Sequence, residues 1–275
     1  MNVFSSTDKK KESTEWLNLD ELSLVDVSRE LNTSLNMEPR LFNRFRQQEV
    51  EELLLESGLL KAVQSRGFPD SVLSIEVLND FDNRVYIKTK NNKILVHMRL
   101  KVSQFHLKGD DEEFPMVYID WLLTQNLNFA GSKLKKELYF GQEYPGLNVL
   151  NEITDFIRLL SQRLGTSGAF NVPEYFHDAA LFSRKFRFID PEKEGTFRAL
   201  IRSFKGTNLR QLSSLIHKNK VCFESGEPYE WKYGEMISCT DIYLEKKVFQ
   251  DSYFKKVEEI KQKLKFTLNS KTKFK

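Results

Sequence analysis

The residues best placed to do chemistry are Gln142-Glu143-Tyr144-Pro145-Gly146-Leu147-Asn148, which lead from Val149 into the amphipathic segment 149–165. The first backbone N–H groups of a helix have no intrahelical partner, and a glycine turn lets the chain approach a ligand closely. Such a junction can face the oxygens of a phosphate. Upstream stands the apolar, strand-like run 114–125. Downstream come a short apolar piece, 167–173, a second helical piece, 174–185, and the closing residues Phe186, Arg187 and Phe188. The order is strand, turn, helix, strand, helix, strand.

The elements that must position this unit are read from periodicity. Leu150, Ile153, Phe156, Ile157, Leu160 and Leu164 form one apolar helical face. Residues 93–107 alternate: Ile94, Val96, Met98, Leu100 and Val102 point one way, and His97, Arg99, Lys101 and Ser103 the other. Lys90-Asn91-Asn92 reads as a hairpin turn, because Asn tolerates positive φ. Strands are expected at 72–77, 84–90 and 117–124. Pro39, ahead of Leu41 and Phe45, predicts the start of a helix. Gly58 predicts a break between two helices in 49–64. Asp190 to Gly195 reads as a charged turn. Short helices are expected at 197–204 and 209–217, a small hairpin around Ser225-Gly226-Glu227-Pro228, and a C-terminal helix carrying Tyr253, Val257, Ile260 and Leu264. Beyond Phe266 the chain is expected to fray.

Composition narrows the class. The formal net charge is +3 and the hydrophobic fraction 40%. The lysines at 9–11 and between 255 and 275 are not interleaved with aromatics as in a nucleic-acid groove, so no nucleic acid is expected. Cys222 and Cys239 are the only cysteines, and His97, His106, His177 and His217 lack ligand-like spacing, so no metal is expected. The polar N-terminus is unlike a secretory signal and no apolar run reaches spanning length. A cytoplasmic protein without a membrane partner is expected.

The element order and two degenerate motifs resemble the GNAT acyl-CoA N-acyltransferase superfamily. The first motif is the turn after Gln142, set against the family pattern [Q/R]xxGxG/A. The second is His177-Asp178-Ala179-Ala180-Leu181-Phe182, closing on Arg187-Phe188, set against N-x-x-A-x-x-L-Y and a terminal G-F. The resemblance implies an α/β (α+β) fold, a mixed and mostly antiparallel sheet flanked by helices. Around it stand a disordered tail (1–15), a helical N-terminal segment (16–70), the GNAT-like core (71–205) and a C-terminal extension with a terminal helix (206–275).

It also implies direct transfer of an acyl group, most simply acetyl, from acetyl-CoA or another acyl-CoA to an amine. Gln142, Gly146, Leu147, Asn148 and Val149 would hold the phosphates. Leu122, Leu123 or Thr124 would polarise the thioester carbonyl. Asp120 or Glu143 would accept the amine proton, directly or through water. The pattern is incomplete. Pro145 has no N–H to offer, Asn148 replaces a small residue, and Phe182 stands where many members carry a proton-donating Tyr. Tyr175 or His177 is the substitute acid. Each candidate also has a plain structural reading: Asp120 facing solvent, Glu143 a solvated turn residue, Tyr175 a packing residue, His177 a satisfied histidine. Two alternatives follow: a catalytically inactive GNAT-like binding or regulatory module, and an unrelated α/β domain. A protein partner or homo-oligomer is open in either case.

Overall fold

The structure is a computed structural model that describes residues 38–107, 109, 111–129, 138–139 and 142–269. The expected tail, residues 16–37 of the expected helical segment and the last lysines lie outside the described residues. Residues 38–275 form one compact unit.

The described chain opens on a tight loop. Leu41 bridges Phe45, and Phe42 and Asn43 take φ of 56° and 55°. Two successive left-handed residues cannot begin an α-helix, so the helix expected after Pro39 starts later. Buried Asn83 fixes the loop: its Oδ1 accepts the Phe42 N–H at 2.6 Å and its Nδ2 donates to the Asp80 carbonyl at 3.2 Å. Helix α1 spans Gln47–Glu56 and α2 spans Leu59–Ser65, separated by Gly58 at φ 78° as its spacing predicts.

Strands β1 (Val72–Asn79), β2 (Asp82–Lys88), β3 (Ile94–His106) and β4 (Glu113–Thr124) form an antiparallel meander. Asn92, at φ 59°, closes the expected β2–β3 turn. Helix α3 (Leu150–Leu164) follows, then β5 (Gly168–Asn171), which pairs parallel to β4. Helix α4 (Phe176–Phe182) leads to the two-residue strand β6 (Arg187–Phe188). The central strand–turn–helix–strand–helix–strand order is therefore present.

The later part departs from the expectations in four places. The charged turn is instead the cap and first turns of α5 (Pro191–Ser203). Asp190 accepts the Glu192 N–H at 2.8 Å and Pro191 occupies the first helical position, where a missing N–H costs nothing. After α6 (Leu209–His217), β7 (Val221–Phe223) turns back through the expected hairpin, but its paired strand is β9 (Phe266–Leu268), so Thr267 and Leu268, expected to fray, lie in a strand, and residues 270–275 lie outside the described residues. Strand β8 (Met236–Cys239) was not legible; it inserts between β5 and β6. Helix α7 (Ile242–Val248) was likewise unforeseen, whereas α8 (Asp251–Lys263) is the expected C-terminal helix.

The described residues thus hold eight α-helices and a seven-stranded, mostly antiparallel sheet in the order β1-β2-β3-β4-β5-β8-β6. The main core lies on the sheet face of Val96, Met98, Leu100, Val117 and Ala169, with Ile153, Phe156, Ile157 and Leu160 of α3 against it. A smaller apolar cluster, including Phe105, Phe114, Phe170 and Ile237, lies apart from it and is closed by Leu244 of α7. Among the described residues no helix is long and apolar enough to cross a membrane.

Candidate functional site

Of the candidate residues, Asp120, Leu122, Leu123 and Thr124 lie where β4 outruns β5. The parallel pairing is short, Val117 to Ala169 and Tyr118 to Phe170, while β4 continues to Thr124. Its edge from Ile119 onward has no strand partner on the β5 side among the described residues. Edge N–H and C=O groups of this kind are templates for an extended ligand. On its other side β4 carries a bulge. Leu100 pairs with Ile119 and Arg99 with Trp121, which leaves Asp120 as the extra residue. A bulge re-aims side chains and backbone, so the simple alternation read for Asp120 breaks at that residue. Asp120 forms an ion pair with Arg99.

The turn into α3 is tied to the end of β4. The Leu147 N–H donates to Thr124 Oγ1 at 3.3 Å, and the Asn126 N–H to the Pro145 carbonyl at 2.7 Å. Leu147 and Val149 are buried and Asn148, at φ 58°, is exposed. The Leu147 N–H, one of the expected phosphate donors, is therefore already engaged. Gly146 has a packing reason to be glycine: a Cβ there would lie 3.0 Å from Thr124 Oγ1.

No side chain caps α3; Val149 at the cap offers no acceptor. The N–H groups of its first turn are left to solvent or a ligand, and the helix dipole favours an anion there. A cation reaches the same turn from another element. Arg66, just beyond α2, donates through Nη2 to the Asn148 carbonyl at 2.6 Å and through Nη1 to the Ala62 carbonyl at 2.8 Å. Glu152 lies 3.9 Å from Arg66. Gln142 is half-buried, its N–H bonded to the Tyr139 carbonyl at 3.2 Å, and Glu143 is exposed.

The two substitute acids sit together on α4. Tyr175 precedes its first turn, half-buried, with its ring 5.5 Å from that of His177. His177 is buried. Its Nδ1 lies 3.0 Å from Ser213 Oγ of α6 and its Nε2 3.4 Å from Asp178 Oδ1. Tyr139 lies parallel on the imidazole at 4.1 Å between centroids, and the Arg210 guanidinium is 5.4 Å from the Tyr139 ring. Burial pushes the imidazole down to about 4 and the Asp178 carboxyl up to about 6. An ion pair would move both groups the opposite way. The two shifts together describe desolvation of both groups, and His177 is neutral at pH 7.

No hydrogen bond or ion pair links Asp120, Glu143 and His177 to one another among the described residues. Sequence reading placed Arg99 on the polar face of its strand but overlooked Arg66, Tyr139 and Ser213. Only Tyr139 had a local signal, as an aromatic just before the turn. It also overlooked Asn171, the last residue of β5. Asn171 is 4% exposed and its Oδ1 has no hydrogen-bond partner. Leaving such a group unpaired costs about 1–3 kcal/mol.

A surface depression of about 210 Å³ lies elsewhere, between Gly67–Ser71 and Thr89–Asn91, and includes none of these residues. It is ion-paired across by Lys90 and Asp70 at 3.1 Å. Among the described residues no cluster of His, Cys, Asp and Glu could hold a metal ion. A scan against protein-family models gives no match for this chain, and neither does a search of curated proteins.

Proposed function

We propose that this chain is a divergent GNAT-type N-acyltransferase that moves an acyl group from acetyl-CoA or another acyl-CoA directly to an amine. The observation that carries the reading is the fork: parallel strands β4 and β5 stop pairing after Tyr118 and Phe170, and the unpaired edge of β4 runs to the uncapped start of α3. An extended acyl donor fits that geometry, with its amide-bearing arm along the β4 edge and its phosphates at the helix N-terminus beside Arg66.

In this reading the free backbone N–H groups at the α3 start and the Arg66 guanidinium hold the pyrophosphate. A backbone N–H of Leu122, Leu123 or Thr124 on the free edge polarises the thioester carbonyl. The attacking amine must lose a proton. Asp120 at the bulge, next to Arg99, accepts it through water, with Glu143 as the second candidate. Nitrogen attacks the carbonyl carbon, the C–S bond breaks, and the thiolate leaves protonated by solvent or by Tyr175.

The alternative, a catalytically inactive binding module of the same fold, is favoured by one observation. His177 Nδ1 is engaged by Ser213, its Nε2 lies 3.4 Å from Asp178 Oδ1, and Phe182 has no hydroxyl.

The test is thermal unfolding with coenzyme A and with acetyl-CoA, in wild type, Gly146→Ala and Gly146→Asp. Binding to the folded state alone raises Tm by mass action. The proposal expects a rise in wild type and in Gly146→Ala, and none in Gly146→Asp, whose carboxylate repels the pyrophosphate. The Ala variant carries the crowding against Thr124 without the charge. No rise in folded wild type sinks the acyl-CoA reading. A rise with no transfer to any of a panel of amines selects the binding module.

A further inference from the structure

We propose that Lys193 is a site of spontaneous acylation, a lysine that thioesters in solution modify at Nζ without a catalyst. The inference is independent of the acyl-donor reading of the fork.

Lys193 is the third residue of α5 and is half-buried. Its Nζ lies 4.6 Å from the centre of the Trp231 ring and 5.3 Å from that of Phe188. Both residues are held in place. Trp231 Nε1 donates to the Glu174 carbonyl at 3.0 Å, and its ring meets Phe176 edge-on. The Phe188 N–H donates to buried Glu194 at 3.0 Å, and its carbonyl accepts from the Tyr253 hydroxyl at 2.6 Å. The third wall is backbone. A Cβ on Gly234 would lie 2.6 Å from Lys193 Cδ and 2.8 Å from its Cε, so the loop before β8 closes directly on the lysine stem. The result is a largely apolar slot with one amine in it.

The charges around the slot do not hold the ammonium. Lys88, Lys185, Lys247 and Lys265 each pair with a carboxylate elsewhere in the chain. Lys193 makes no ion pair among the described residues, and its neighbour Glu192 pairs instead with Lys256 of α8 at 3.8 Å. Burial favours the neutral amine, and so does the cation of Lys232. The first turn of α5 adds to this, because the N–H groups of a helix start disfavour a cation. Asp190 at the cap and the two rings favour the ammonium. The balance pushes the amine down to about 8. About a quarter of it is then unprotonated at pH 7.5, against about one part in a thousand for an ordinary lysine.

Only the unprotonated amine is a nucleophile. Its nitrogen attacks the thioester carbonyl carbon, the N–C bond forms and the C–S bond breaks. The thiolate leaves, and the proton lost by the nitrogen reaches it through water. The product is a neutral amide, which an apolar slot accommodates at lower cost than the ammonium it replaces.

Peptide mapping by mass spectrometry tests this on the intact wild-type protein. The reagents are acetyl-CoA and the nucleotide-free thioester S-acetyl-N-acetylcysteamine, each from about pH 6 to about pH 10. With both reagents Lys193 should react roughly tenfold or more faster than exposed Lys61 and Lys205 at pH 7.5. Its rate should level off above about pH 8 while theirs climbs to about pH 10, and its advantage should vanish in urea. Equal rates at the three lysines, or a Lys193 rate still climbing at the alkaline end, overturn the inference and leave the acyltransferase reading standing. An advantage that survives in urea assigns the reactivity to local sequence and overturns the role of the slot. Labelling by acetyl-CoA alone makes a bound donor the agent and overturns the spontaneous step.

Discussion

Thr124 and Leu147 are joined by a hydrogen bond of 3.3 Å, backbone N–H to hydroxyl, which fastens the turn entering α3 to the last residue of β4. The bond couples the two edges of the candidate site. Thr124→Val keeps the shape and removes the acceptor, leaving the buried Leu147 amide unpaired. The expected cost is about 1–3 kcal/mol in urea unfolding. Thr124→Ser, which restores the acceptor, should recover most of it.

Arg66 tests the charge at the helix start. Arg66→Met retains the stem and deletes the guanidinium that holds the Asn148 carbonyl at 2.6 Å. Under the proposed function coenzyme A affinity falls by roughly fivefold, about 1 kcal/mol, as for a partly screened ion pair. The gap should narrow as salt is raised from about 0.05 to about 0.5 M, which shortens the Debye length about threefold. A titration at the two salt concentrations decides it; an affinity unaffected by the substitution would remove Arg66 from the site.

The His177–Asp178 pair makes a pH prediction with opposing signs. His177 is depressed to about 4 from an ordinary 6.5, so the unfolded chain takes up its proton first and stability is lost as pH falls below 6.5. Asp178 is raised to about 6, so the folded chain takes up its proton first, and that contribution is present at low pH and lost as pH rises through 6. Between pH 6.5 and 4 the two offset each other. Asp178→Asn removes the compensation. Its unfolding free energy should fall about 1–2 kcal/mol more than that of wild type between pH 7 and pH 5. Parallel pH profiles for the two proteins would contradict the assignment.

Gly195 lies inside α5, where Ala would ordinarily be better by about 1 kcal/mol. Here a Cβ would come within 2.6 Å of Ile260 Cβ and 2.9 Å of the Val257 carbonyl on α8. Overpacking of that kind costs about 1–3 kcal/mol and outweighs the propensity gain. Gly195→Ala should therefore unfold at lower urea than wild type, and the double variant with Ile260→Ala should recover part of the difference.

Long, strongly patterned elements were legible. The alternation of 94–102 and the helical spacing from Leu150 to Leu164 each commit one face to a core, so β3 and α3 follow from local sequence. The turn at Gln142–Asn148 was found for the same reason, since it punctuates two such patterns. The short elements were not legible. Met236–Cys239 has no period long enough to register, and it is a strand because β5 and β6 each offer it an edge. The Asp-Pro-Glu start of α5 did carry a capping signature, and the charge of the run obscured it.

Sequence alone determined the pieces that depend on neighbours a few residues apart: the meander strands, the central helix, the glycine turn before it and the break at Gly58. Tertiary structure alone decided what depends on residues far apart in the chain. It stopped β5 short of the end of β4, put Arg66 on the α3 turn, and wrapped His177 with Tyr139 and Ser213. It also left Asn171 buried without a partner. Periodicity reports which face of an element is apolar, but a site is made where faces from different elements meet, and only the packed chain fixes those distances.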